Sequence, residues 1–205
     1  MSSLGSREKQ LLLQVARQAL VLAAEGREPL EEFSANGGLC RGTGAFVTLR
    51  LRGKLRGCIG QLSSSDPLTQ VVAYCARAAA LEDPRFHPVS PDELAGIDIE
   101  ISVLSPLKTI APGEIEVGKH GLMVSQAWQR GVLLPQVAAE FHWGVERFLE
   151  ETCVKAGLGR HAWKDPATRI CAFTAEVFSE SDLGAGEQEA LETQGRTEPG
   201  YSSST

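Results

Sequence analysis

Residues 54–62, KLRGCIGQL, bring a thiol, a cation and two glycines into one short stretch. Cys58 lies between Gly57 and Gly60, with Arg56 two residues before it. The thiolate is the nucleophilic form of cysteine, and cations close to the sulfur favour it. Arg50, Arg52, Lys54 and Arg56 supply such cations if any of them points at the sulfur. The glycines remove side chains beside Cys58, which suits an unusual backbone angle or a ligand approaching the main chain closely. The same residues suit a crowded strand packed on a helix, with the basic side chains solvated. Reaction and packing are both open for Cys58 at this level.

A second group of candidates is Asp83 and Arg85 in the segment EDPRFHPVSP. Binding residues gather on loops held by a rigid scaffold, and the plain alternative is a helix end with a local ion pair. Cys75, Cys153 and Cys171 each fall in phase with apolar neighbours and read as core packing. Cys40, in a glycine-rich loop, is undecided. That loop, 37–44, follows a helical pattern and precedes a strand, the reverse of the strand, loop and helix order of a phosphate cradle. No nucleotide cofactor is expected. The four histidines are scattered, and no Cys or His pair has ligand spacing, so no metal is expected either.

The elements that must position these residues are legible in the periodicity. Leu12, Val15, Ala16, Ala19, Leu20 and Ala23 recur at helical spacing, predicting a helix over 7–24 with Ser6 as N-cap. Val47, Leu49 and Leu51 alternate with Thr48, Arg50 and Arg52 as in a strand. Gly53 allows a tight turn, and LRGCIG returns as the partner strand. A two-residue loop would put Cys58 on the Leu49 face, and a one-residue bulge would move it to the Arg50 face. Asp66 as N-cap and Pro67 at the first helical position open a second helix whose buried face carries Leu68, Val71, Val72, Cys75, Ala76 and Ala79. Pro84, Pro88 and Pro91 make the next segment irregular. IDIEISVL at 97–104, GLMVSQ, RGVLLP and ICAFTAEVF at 170–178 read as strands, with a helix over about 136–156 that Gly144 interrupts. Strands and helices mix without βαβ alternation, which predicts an α+β fold with largely antiparallel pairing. From Ser181 onward the composition collapses to Gly, Glu, Ser, Thr and Gln, so 181–205 is expected to be a disordered tail behind one domain at 1–180.

Composition bounds the partners. Hydrophobic residues at 42% and charged residues at 22% match a folded globular chain. A net charge of −6 disfavours a phosphate-backbone binder, so nucleic acid is not expected. The longest apolar run, 11–24, is too short for a membrane span and holds Gln14, Arg17 and Gln18. The N-terminus lacks the order of a secretory signal, and an odd count of five cysteines shows no disulfide framework. A cytoplasmic protein with reduced thiols is the expectation.

Six segments in order, GAFVTL at 44–49, LRGCIG at 55–60, EDPRFHPV at 82–89, IEISVLSP at 99–106, GKHGLMV at 118–124 and LLPQVAAE at 133–140, resemble the AMMECR family. Its bacterial members are called AmmeMemoRadiSam system protein A. The resemblance implies a two-lobed α+β fold with a cleft that the LRGCIG segment faces. It also implies a pathway shared with Memo-like and radical SAM proteins, without an established activity. Arg56, Gly57, Cys58, Gly60, Asp83, Arg85, Phe86, His120, Gly121, Pro135 and Gln136 match the family motifs. His87 stands where the family usually has proline, and Phe141-His142 replace the usual Gln-Gly, so neither histidine is expected to be a shared base. What the resemblance then suggests is Cys58 as nucleophile on a small anionic substrate and His120 as its base. Arg56 would hold the anion, with Gly57, Gly60, Asp83 and Arg85 lining the site and Gln136 donating to an oxyanion. The alternative is a non-catalytic module that binds a small molecule or a protein, or a scaffold for the Memo-like and radical SAM partners.

Overall fold

The alternating patterns build two four-stranded sheets, antiparallel throughout, in a computed structural model that describes residues 3–27 and 43–182. The first has the order β2 (Lys54–Gln61), β1 (Ala45–Leu51), β3 (Ile97–Leu104), β8 (Ala175–Ser179). The second has the order β4 (Lys108–Thr109), β7 (Arg169–Phe173), β5 (Gly121–Gln126), β6 (Gln129–Leu133). Side chains alternate between the two faces of a strand. On the first sheet, Val47, Leu49, Ile97, Ile99 and Ile101 therefore share one face, and all are buried under α1 (Ser6–Ala24) and α2 (Leu68–Leu81). Burying each such side chain is worth about 1.5–3 kcal/mol before entropy is counted. The opposite face carries Thr48, Arg50, Glu100 and Val177.

The second sheet has its own core, in which Leu122, Val124 and Ala172 meet Phe148, Leu149 and Cys153 of α4 (Val145–Lys155) and Ala138 of α3 (Pro135–Glu140). The cores share no residue, so the fold has two lobes. The chain crosses between them at 105–107 and again at Thr174. At the crossing the Ser105 N–H donates to the Thr174 carbonyl at 2.9 Å, and the Thr174 N–H donates to Ser105 Oγ at 2.9 Å. Among the described residues no ion pair joins one lobe to the other. No helix among them is long and apolar enough to cross a membrane.

Several boundaries differ from the sequence expectations. The 170–178 pattern is two strands, because the chain passes from one sheet to the other at Thr174. The helix over 136–156 is likewise two, separated by a turn in which His142 takes a positive φ of 54° and Gly144 caps α4. Gly5 rather than Ser6 is the N-cap of α1, its N–H held by the Glu8 carboxylate at 2.7 Å. Pro67 rather than Asp66 caps α2. Ser181 and Asp182 end the described residues, the Ser181 N–H donating to Asp98 at 3.1 Å and Asp182 accepting from the Ser179 N–H at 2.9 Å. The rest of the expected tail, and the glycine-rich loop up to residue 42 with Cys40, lie outside the described residues.

Candidate functional site

The face on which Cys58 sits is decided by one bulge. Arg52 and Gly53, at φ 51° and 78°, form a two-residue hairpin turn, and the register then slips by one residue opposite Arg56. Leu49 pairs with Gly57 and Thr48 with Cys58 as a result. The thiol therefore stands on the Arg50 face, away from the helices, where it accepts a hydrogen bond from Thr48 Oγ1 at 3.3 Å. The slip also turns Gly57 under α2, where a Cβ would overlap the Ala79 carbonyl oxygen. Gly60 lies beneath the Phe46 ring, which a Cβ would also overlap. Both glycines admit protein atoms at very short range, a need that a close-packed interior explains without a ligand.

β2 is an edge strand, so the Cys58 N–H points away from β1 and needs another acceptor. Asp83 supplies it, with Oδ2 at 2.9 Å. The same carboxylate accepts the Arg85 N–H at 3.1 Å, Nε at 2.9 Å and Nη2 at 2.7 Å, and its side chain is only 2% exposed. The Arg85 guanidinium holds the Asp83 carboxyl well below the usual carboxylate range. Arg56 is equally engaged. Its Nε and Nη2 donate to the Glu93 carboxylate at 2.7 and 2.9 Å, and Nη1 and Nη2 donate to the His87 and Pro88 carbonyls at 2.9 and 3.3 Å. This pairing lowers the Glu93 pKa. Both guanidiniums lie over the Phe86 ring, that of Arg56 at 5.9 Å and that of Arg85 at 5.4 Å from its centroid. Asp83, Arg85 and Arg56 thus fasten the proline-rich loop to the edge of β2, and the anion-binding role expected of Arg56 has no free donor fork to serve it.

His120 and Gln136 belong to the other lobe. His120 ends the loop before β5, and its Nδ1 accepts the Glu116 N–H at 3.1 Å. No hydrogen bond connects it to Cys58, whose partners are Thr48 and Asp83. Gln136 is exposed in the first turn of α3 and lines a cavity of about 740 Å³ between the lobes. Arg50, Glu100 and Val177 form one wall of this cavity, and Lys119, Gln136 and Glu140 the other. Arg50 Nε lies 3.6 Å from Glu100, and Lys119 is paired within its own lobe to Glu116 at 2.8 Å. Glu140 forms no ion pair among the described residues. Cys58 is not among the lining residues, but it shares the face of the Arg50–Glu100 wall, two strands or about 10 Å from Glu100 at ordinary strand spacing.

Arg50, Glu100, Lys119 and Glu140 carry the cavity's charge, and none was a sequence candidate for it. Arg50 and Glu100 alternate with buried apolar residues, a signal that marks an outer face. Lys119 and Glu140 fall inside the motif segments 118–124 and 133–140, but no periodicity or spacing singles them out. Chemically the cleft offers hydrogen bonds and both signs of charge, while Cys58 has a hydroxyl donor and, among the described residues, no imidazole hydrogen-bonded to it. The other described cysteines are buried, and burial pushes the Cys75 thiol up to about 12 and raises that of Cys153. Among the described residues no group of three or more His, Cys, Asp and Glu is placed to hold a metal.

A family model described as AMMECR1 matches residues 13–178. The chain is 47% identical over 144 residues to a protein of Methanothermobacter thermautotrophicus, covering 67% of this chain and 75% of that one. It is 37% identical over 179 residues to a protein of Aquifex aeolicus, covering 83% and 92%. The crystal structure of the uncharacterized protein PH0010 from Pyrococcus horikoshii superposes with a TM-score of 0.75 at 38% identity, over 82% of this chain and 89% of that one.

Proposed function

From the premise that the chain belongs to the AMMECR1 family, we propose that it is a ligand-binding protein whose site is the cleft between the two lobes. The observation that carries this reading is the cavity of about 740 Å³ that both lobes line, a size within the range of small-molecule sites. Its ligand is small and bears both charges, as an amino acid or dipeptide does. Arg50 and Lys119 face an anionic group, Glu100 and Glu140 a cationic one, and Gln136 donates to or accepts from either. A simple anion fits less well, because Glu140, a cleft carboxylate without an ion-pair partner among the described residues, would repel it.

Titrating isotope-labelled full-length protein with glycylglycine, and separately with acetate and methylamine, tests this by NMR. Saturable shifts at Gln136, Ala139 and Val177 with the dipeptide alone support the reading. Shifts confined to other surfaces with every probe would reject it. A scaffold for Memo-like and radical SAM proteins would still capture those partners after substitutions in the cleft, whereas the present reading makes the cleft itself the functional surface.

A second reading, Cys58 as a nucleophile on the sheet face that continues into the cleft wall, is favoured by one observation: the Thr48 hydroxyl donates to the sulfur at 3.3 Å on the open face of the sheet. Alkylation by iodoacetamide as a function of pH separates the two. A thiol titrating near the ordinary value of about 8.5 counts for binding alone, and one titrating well below it for chemistry.

A further inference from the structure

His120 itself does not line the cleft, although Gly118 and Lys119 of the same motif do. His120 lines a different cavity, of about 370 Å³, against the crossing between the lobes. Thr174 is the residue that borders both cavities. In this second cavity the ammonium of Lys108, on the edge strand β4, has no ion pair or hydrogen bond among the described residues, and Ile110, Ala172 and Phe173 supply apolar wall. Because His120 Nδ1 accepts the Glu116 N–H, that nitrogen carries no proton. The ring's hydrogen is then on Nε2, which leaves Nε2 as the donor for anything bound here.

We infer that this cavity is a second binding site, for a small monocarboxylate with an apolar body. A single carboxylate takes one hydrogen bond from His120 Nε2 and one from the Lys108 ammonium, pairs of the charge-assisted kind. Its hydrocarbon part lies along Ile110 and Phe173. Glu114, whose Oε2 accepts the Ala111 N–H at 2.9 Å, also lines the cavity, and its negative charge disfavours a dianion such as phosphate. The floor of the site is the paired crossing itself, Ser105 with Thr174, so the occupant rests against the strands that join the lobes. The inference does not depend on what fills the interlobe cleft.

The test is an NMR titration of the full chain with butyrate, benzoate and inorganic phosphate, followed at Ala172, Phe173 and His120. Butyrate or benzoate should saturate these signals, with phosphate binding at least about tenfold more weakly. Lys108→Ala and His120→Phe should each weaken the carboxylate by about tenfold, while His120→Gln, which keeps an N–H donor, should restore most of it. Two results would overturn the proposal: carboxylate shifts that Lys108→Ala leaves unchanged, and phosphate binding as tightly as butyrate. Unaltered spectra with all three probes would overturn it as well, and circular dichroism of each variant shows whether the fold is intact.

Discussion

The free edge of β2 and the open face of its sheet lie side by side, yet they use charge in opposite ways. At the edge, Asp83, Arg85, Arg56 and Glu93 saturate one another at 2.7–3.1 Å and hold the proline-rich loop in place. On the open face, Arg50 and Glu100 are 3.6 Å apart, and Glu140 across the cleft has no ion-pair partner among the described residues. Saturated charges make structure, and loosely engaged ones remain available to a ligand. The motif residues around Cys58 belong mostly to the first kind.

Substitutions sharpen this contrast. Gly57→Val should have the largest effect, because its side chain would have to displace the α2 backbone at Ala79. A loss of about 3 kcal/mol or more is expected in denaturant unfolding. Asp83→Ala leaves the Cys58 N–H without its acceptor and should cost about 2 kcal/mol by the same measurement. Asp83 also has a pH signature. Its folded pKa is depressed, so its contribution is complete above the unfolded value near 4 and is lost as the pH falls below it. Chemical denaturation from pH 7 down to pH 3 should show a shallower loss for Asp83→Asn than for the parent chain. Cys58→Ser should change stability by less than about 1 kcal/mol, since it keeps the backbone bond to Asp83 and a polar partner for Thr48. Glu140→Gln should be neutral within about 0.5 kcal/mol, as expected of an exposed residue outside the packing. A Glu140→Gln variant that lost stability would blur the distinction between edge and cleft.

Much of the scaffold is legible in the sequence because it rests on local periodicity. Val47, Leu49, Ile99 and Ile101 announce a buried sheet face, and Leu12 to Ala23 announce the helix that covers it. What periodicity misses is a change of partner without a change of local conformation. ICAFTAEVF alternates straight through Thr174, so nothing in it marks the passage between lobes. The face of Cys58 depended on a single bulged residue, Arg56, to which hydrophobic alternation is blind. Gly57 and Gly60 were expected to admit a ligand or an unusual backbone angle, and the groups that approach them are Ala79 and Phe46. Cys58 and His120 share a family pattern in sequence and lie in different lobes, and no residue spacing reveals that separation. Lys119 and Glu140 come to the cleft only through the arrangement of the second lobe.

The central claim is that ligand recognition belongs to the cleft walls and not to the thiol. Dissociation constants for glycylglycine, measured by calorimetry on the parent chain, Glu140→Gln and Cys58→Ser, test it most directly. Glu140→Gln should weaken binding about tenfold, and Cys58→Ser should leave it within about twofold. Binding abolished by Cys58→Ser and untouched by Glu140→Gln would contradict the account.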